Sequence, residues 1–249
     1  MTHRLQIVTI AALCAAVVVN GTHAHAQFYS DGSLLLNDIP YMAFYDYLTI
    51  GLDTPTSEVL KTTRPDRQPA QPYLPETSLR FQHRAEVTNQ VRQEVSHRFA
   101  QAGPSLAHQI HAEFERADVV GEFRRLLARY GYDPDNLAHA MAAFLILQWE
   151  VVTGETANAA QMHGAANQVA DALRSSPLLD RMSDTEKQVI ADSLAYQAIL
   201  SVLVHRDLEQ RGDFDGMQRL RASIIRGAQE LGWDFERVSL TAQGFQTRS

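Results

Sequence analysis

The chain has 249 residues, with 22 basic and 29 acidic side chains, a formal net charge of −7 and 45% hydrophobic residues. This acidic balance argues against a nucleic-acid partner, which would require a strongly basic surface. The one cysteine, Cys14, lies in a segment that we expect to be removed. Disulfide bonds and thiol catalysis are therefore not expected.

Residues 1–26 have the three parts of a secretory signal peptide. Arg4 lies in a short basic start, Ile7 to Val19 form an apolar run, and Ala24-His25-Ala26 has the A-x-A pattern of a cleavage site. The apolar run is shorter than the roughly 20 residues that a membrane-spanning helix needs. We therefore expect cleavage between Ala26 and Gln27, a periplasmic or secreted protein, and no stable membrane anchor.

Residues 27–76 differ in composition from the rest of the chain. Five of the nine prolines fall between Pro55 and Pro75, which predicts a linker or an extended arm and not a packed element. Before them, Pro40 to Leu52 (PYMAFYDYLTIGL) contains four aromatic residues. We favour a short helix or strand that docks on the body of the protein. The other interpretation is an exposed apolar surface for a partner.

From residue 77 to residue 249 the hydrophobic pattern has a helical period, which predicts a single all-α domain. Ser183 and Glu186 have the spacing of a capping box, in which each side chain accepts from the other residue's amide. Glycines at 131 and 212 are placed to end helices. The expected helices run from Thr77 or Ser78 to about Ala102, Ser105 to Glu115, Asp118 to Tyr130, Ser183 to Arg211, and Asp215 to Glu230.

Two stretches, Ala140 to Val152 and Leu194 to Val204, are apolar on nearly every side. A helix without a polar face belongs in the centre of a bundle. The predicted fold is therefore an all-α, irregular multi-helix bundle with two buried central helices, preceded by the proline-rich arm.

The segment GYDPDNLAHAMAAFLILQWEVVTG, residues 131–154, has acidic residues at the start of the first apolar helix. Asp133 or Asp135 can accept hydrogen bonds from the free amides of its first turn, and either carboxylate suits the positive end of the helix dipole. Leu137 and Ala138 interrupt the oxygen-ligand pattern of a calcium-binding loop. We therefore interpret Asp133 and Asp135 as structural caps.

The polar residues inside this helix are candidates for a site. Gln148 lies in the middle of the apolar stripe, and a buried amide must find partners. It either bridges to a neighbouring helix, which we favour, or forms a wall of a ligand pocket with Trp149 as a further binding candidate. Glu150 lies on the opposite side and is the catalytic candidate. Exposure to solvent is the interpretation we favour for it, because an unpaired buried carboxylate is costly.

His108, His111 and Glu115 lie near one line along a helix and could hold a divalent metal ion. We favour a solvated face, since no HExxH or other supporting motif accompanies them. The chain contains no glycine-rich phosphate loop, G-x-S-x-G or paired-cysteine motif. This argues against the common nucleotide enzymes and hydrolases, and we expect no cofactor.

The signal peptide, the arm, residues 131–154 and the ending LGWDFERVSLTAQGF together resemble an uncharacterised family of exported bacterial all-α proteins, a domain of unknown function. The resemblance covers about residues 78–246. In that family a similar Asn-Leu-Ala-Asp-Ala segment leads into an apolar helix with a tryptophan, and His139 stands here where the family tends to carry an acid. The resemblance implies no activity.

The sequence favours an exported, soluble, non-catalytic binding or interaction module of the cell envelope, whose partner is an envelope or secreted protein. The second hypothesis is a metal-dependent or carboxylate-based envelope hydrolase. It would use His108, His111 and Glu115, or else Glu150.

Overall fold

The computed structural model describes residues 54–66, 74–100, 114 and 116–248. Residues 1–26, the aromatic segment from Pro40 to Leu52, and the metal candidates His108, His111 and Glu115 lie outside this part of the chain. Within the described residues there are eight α-helices, one 3-10 turn and one β-hairpin. They are α1 (Thr54–Thr62), the 3-10 turn (Glu76–Leu79), α2 (Ala85–Ala100), α3 (Val119–Arg129), α4 (Leu137–Thr153), α5 (Ala159–Arg174), α6 (Pro177–Asp180), α7 (Asp184–Arg211), α8 (Phe214–Glu230), β1 (Val238–Thr241) and β2 (Gly244–Thr247).

The two apolar stretches form the central helices α4 and α7, as the sequence predicts. All residues of α4 from Leu137 to Val152 except His139 are buried, and the middle of α7 from Leu194 to Val204 is buried throughout. The two helices pack on each other along an extensive contact. Since neither has a polar face in its apolar part, each must be covered on every side.

The other helices provide that cover. Helices α2 and α3 pack on α7, α5 packs on α4, and α8 contacts both central helices. Among the described helices, α7 alone is long and apolar enough to cross a membrane, but 83% of its most apolar window is buried inside the protein. The core helix of a protein can have the same length and composition as a membrane-spanning helix. Because most of α7 is buried inside the protein, we interpret it as a core helix.

Helix α7 begins and ends where the sequence predicts. The Ser183 hydroxyl accepts from the amide of Glu186, and the Glu186 carboxylate accepts from the amide of Ser183. Gly212 follows the last turn with φ at 66°, a left-handed conformation that glycine adopts without a steric penalty. Local capping chemistry therefore accounts for both ends of this 28-residue helix.

The predicted caps of α4 are wrong. The N-cap is Asn136, whose side-chain oxygen accepts from the amides of Ala138 and His139. Asp133 instead pairs with Arg80 (3.2 Å), and Asp135 pairs with Arg124 (2.9 Å). Both carboxylates therefore form ion pairs with arginines from other segments, and the neutral Asn136 side chain caps the helix.

The predicted helix from Thr77 or Ser78 is also wrong at its start. The chain makes the 3-10 turn there and then runs without regular secondary structure to Arg84, and α2 begins at Ala85. The amide of Phe81 donates to the carbonyl of Asp135 (2.9 Å), and the amide of Gln82 donates to Asp184 (3.1 Å). These long-range hydrogen bonds satisfy the backbone of this segment, so tertiary contacts override the local helical pattern.

The proline-rich arm contains a packed helix, contrary to expectation. Val59 and Leu60 of α1 are buried, and the Leu60 carbonyl accepts from the Trp233 indole (3.3 Å). The sequence pattern also missed α5, although Asn158 and Gln161 form a capping box at its start. It missed α6, where Ser176 caps and Pro177 occupies the first turn.

The β-hairpin near the end of the chain docks on α5. Gln168 donates to the Phe245 carbonyl (2.9 Å) and accepts from the Phe245 amide (2.7 Å). A Cβ added to Gly164 of α5 would lie 2.3 Å from the carbonyl oxygen of Ala242, so only glycine permits this close approach. The hairpin therefore packs on the outer helix α5.

The Asn136 cap leads to a stability prediction. Asn136→Ala should lower the free energy of unfolding by about 1 kcal/mol, because two amides of α4 lose their acceptor. Asn136→Asp keeps the acceptor and should lose much less. Urea denaturation at neutral pH measures both variants. An equal loss in the two variants would show that the side-chain oxygen of residue 136 is not the source of the effect.

Candidate functional site

A pocket of about 230 Å³ lies among α1, α4, α7, α8 and the segment that follows α8. Its walls are largely apolar and aromatic. The apolar lining includes Phe144, Leu145, Ile224, Trp233 and Phe235, and the polar lining consists of Ser57, Lys61, Gln148, Gln197 and Glu230. Largely apolar walls with a few polar groups are typical of small-molecule binding sites.

Gln148 is a fixed polar group in this pocket. It is buried, and its Nε2 donates to the Ser201 hydroxyl (3.2 Å), which in turn donates to the Gln197 backbone carbonyl (2.8 Å). Gln148 thus bridges α4 to α7 and also lines the pocket. The sequence left open whether Gln148 bridges to a neighbouring helix or forms the wall of a pocket. In the structure the side chain does both.

Gln197 of α7 lines the same pocket, but it lacks the side-chain hydrogen bond that Gln148 makes. Its exposed fraction is 6%, so the residue is more than nine-tenths buried. Within the part of the chain that the structure describes, its side-chain amide makes no hydrogen bond. Its amide atoms are not fully enclosed by protein, so they are open to water or to a group that enters the pocket. The sequence did not single out Gln197, because the pattern marks Leu194 to Val204 only as buried.

The charged lining residues are more exposed than these two amides. The Lys61 ammonium pairs with Glu58 at 2.7 Å, and the two side chains are 42% and 51% exposed. Glu230, at the end of α8, is also exposed. The charges therefore lie at the mouth of the pocket, and its buried polar groups are neutral amides.

The other candidates on α4 do not line this pocket. Trp149 is 1% exposed, and its indole Nε1 has no hydrogen-bond partner among the described residues. Glu150 is buried and not exposed, contrary to the expectation. Its Oε1 accepts from the Ala157 amide (2.7 Å) and so holds the loop between α4 and α5. This contact explains how the carboxylate is accommodated away from water.

The contacts of His139 indicate a role in stabilising the fold. Its Nδ1 accepts from the Asp133 amide (2.8 Å), and its ring stacks on Tyr132 with centroids 4.9 Å apart. Burial lowers the pKa of His139, although the negative charge of Asp133 opposes this shift. A neutral imidazole can accept this hydrogen bond, so the histidine stabilises the start of α4.

The structure brings no three His, Cys, Asp or Glu residues into a metal-binding group within the described ranges. His108, His111 and Glu115 are not among the described residues. The metal hypothesis therefore stays a prediction.

A second polar cluster, which sequence reasoning missed, joins α2 to α7. Asp192 is 3% exposed, and its Oδ2 accepts from the Thr88 hydroxyl (2.8 Å) and the Gln188 amide (3.2 Å). His83 Nε2 lies 3.1 Å from the Thr88 oxygen. Gln188 also accepts from the Arg84 amide and donates to the Arg84 carbonyl. The cluster ties the segment before α2 to α7.

Burial raises the pKa of Asp192, and the hydrogen bonds from Thr88 and Gln188 oppose the shift. A carboxyl whose folded pKa is raised contributes stability that is present below its unfolded pKa of about 3.9 and is lost as the pH rises through the folded value. Asp192→Asn cannot titrate. As the pH rises above about 4, the wild type should therefore lose stability relative to Asp192→Asn, and the difference in their free energies of unfolding should change in favour of the variant.

Urea denaturation at several pH values measures this difference, and a His83→Gln background removes the contribution of the nearby histidine. A difference between Asp192→Asn and its parent that stays constant with pH would contradict the prediction.

Comparison with known proteins identifies a family without an assigned activity, as the sequence resemblance predicts. No curated protein and no solved structure matches the chain. A family model described as a family of unknown function, DUF6683, matches residues 2–248. Because this match spans nearly the whole sequence, the chain belongs to the family DUF6683.

Proposed function

We propose that this protein is a non-catalytic binding module of the cell envelope that holds a small amphipathic molecule in the pocket between α1, α4, α7 and α8. The observation that carries the proposal is Gln197, a residue only 6% exposed on the wall of a largely apolar pocket, whose side-chain amide makes no hydrogen bond among the described residues. A ligand with a polar group would supply the missing hydrogen bond and cover the apolar walls.

The size of the pocket supports a ligand that carries one ring. An engineered apolar cavity of about 150 Å³ holds benzene, and the present pocket has about 230 Å³. This volume leaves room for a polar substituent beside the ring. Phe144, Trp233 and Phe235 provide aromatic surface for edge-to-face or offset contact.

The location in the envelope rests on residues 1–26. Their basic start, apolar run and Ala24-His25-Ala26 support export and cleavage. Export would expose the pocket to molecules of the periplasm or the medium. An envelope or secreted protein stays the proposed partner of the module, and the pocket is the part of the surface for which the structure suggests a ligand.

Benzyl alcohol is a suitable probe, because it joins a ring to a hydroxyl that both donates and accepts. In a ¹H–¹⁵N NMR titration, the indole signal of Trp233 should move with a single saturable Kd. The chain has two tryptophans, and Trp149, which does not line the pocket, provides the internal reference. Gln197→Leu should weaken binding by about 1 kcal/mol, roughly fivefold in Kd, through loss of the hydrogen bond.

Two controls complete the experiment. Gln210→Leu changes an exposed glutamine of the same helix and should leave Kd unchanged. Toluene lacks the hydroxyl and should bind Gln197→Leu at least as tightly as the wild type. Absence of any saturable shift at Trp233 with either probe would overturn the proposed pocket function.

A further inference from the structure

Among the described residues, the hydrogen bonds of the buried Gln188 and the half-buried Gln168 show what Gln197 lacks. Gln188 accepts from the Arg84 amide (2.9 Å) and donates to the Arg84 carbonyl (2.8 Å). Gln168 forms the same pair with Phe245, at 2.7 and 2.9 Å. In each case one carboxamide pairs with the N–H and the C=O of a single residue, as a neighbouring β-strand would.

Gln197 has the same side chain without such a partner. It is 6% exposed and lies on the pocket wall, and its donor and acceptor are both unused within the described residues. Gln148, on the facing helix α4, spends its Nε2 on Ser201. The free hydrogen-bonding groups on the buried wall of the pocket are therefore the Gln197 carboxamide, with a donor and an acceptor side by side, and the Oε1 acceptor of Gln148.

The charge distribution restricts the ligand further. Lys61 is already paired with Glu58 at the mouth, and the buried amides carry no net charge. An ionised headgroup placed beside Gln197 would lose its hydration without gaining a counter-charge, which is strongly unfavourable. A ligand group should therefore be uncharged, because no counter-charge is available. It should also both donate and accept a hydrogen bond, because the Gln197 carboxamide does both.

We infer that the pocket recognises an uncharged peptide unit that carries an apolar or aromatic side chain. The backbone N–H and C=O of that unit pair with the Gln197 carboxamide, and its side chain enters the space among Phe144, Trp233 and Phe235. This inference rests on the proposed binding function and specifies its ligand class. Backbone pairing provides affinity, and the apolar walls select the side chain.

N-acetyl-phenylalaninamide is the matched probe, and three relatives test each part of the inference. N-acetyl-N-methyl-phenylalaninamide lacks the backbone N–H and should bind at least about fivefold more weakly, because the Gln197 Oε1 would stay unpaired. N-acetyl-phenylalanine places a carboxylate in the site and should also bind more weakly than the amide. N-acetyl-glycinamide lacks the aromatic side chain and should give no saturable shift of the Trp233 indole signal in the concentration range that saturates the phenylalanine amide.

In Gln197→Leu the difference between N-acetyl-phenylalaninamide and its N-methyl analogue should shrink to less than about twofold, because the variant has no carboxamide to pair with either ligand. Gln210→Leu should keep the full difference. The ligand series in the wild type remains decisive even when the Gln197→Leu variant does not fold.

The outcomes separate this inference from the proposed function. If benzyl alcohol binds but the N-methyl analogue binds as tightly as N-acetyl-phenylalaninamide, the peptide inference is overturned and the pocket function stands. The same holds if the carboxylate binds more tightly than the amide. If neither benzyl alcohol nor any member of the series moves the Trp233 signal, both are overturned.

Discussion

The packing of α4 on α7 is the constraint on which the rest of the structure depends. Both helices are apolar on every side along their contact, so other segments have to cover them completely. Any polar group inside this core must also find a partner, since an unpaired buried amide or carboxylate is costly. Most polar side chains of the core meet this condition. Trp149 does not, because its indole Nε1 has no partner among the described residues, and Gln197 on the pocket wall makes no side-chain hydrogen bond there either.

Polar residues of the core and its border bind groups of other segments. Gln188 binds the backbone before α2, Asp192 accepts from Thr88 of α2, Gln168 binds the β-hairpin, and Glu150 accepts from the Ala157 amide in the loop before α5. These contacts position the outer layer as well as satisfying the core. Gln197 lies on the same central helix as Gln188, yet it faces a pocket instead of a backbone segment. The contrast between these two glutamines supports a ligand in the place of the missing backbone.

The elements that the sequence predicted are those governed by local chemistry. The capping box at Ser183 and Glu186 and the glycine at 212 define the ends of α7 from neighbouring residues. The burial of α4 follows from its composition. By contrast, Asp133, Asp135 and Asn136 are all acceptable caps by type. The choice of Asn136 depends on Arg80 and Arg124, which the fold brings from elsewhere.

The missed elements depend on tertiary contacts in the same way. Helix α1 lies among prolines, and its packing depends on Trp233, which is far from it in sequence. The hairpin is only two short strands and depends on Gln168 and Gly164 of α5. For the site, periodicity singled out Gln148 because it interrupts an apolar stripe. Gln197 gives the same interruption in Leu194 to Val204, but its lack of a partner is visible only once the helices are packed.

A comparison of two glutamine-to-leucine substitutions on α7 tests the central claim most directly. Gln188→Leu should lower the free energy of unfolding by about 2 kcal/mol or more, because the Arg84 amide and carbonyl and Asp192 lose a buried partner. Gln197→Leu removes an amide that has no partner and should leave the ligand-free protein as stable as the wild type or more stable. Equal destabilisation by the two substitutions in urea would mean that the Gln197 amide serves the fold, and would contradict its role in holding a ligand.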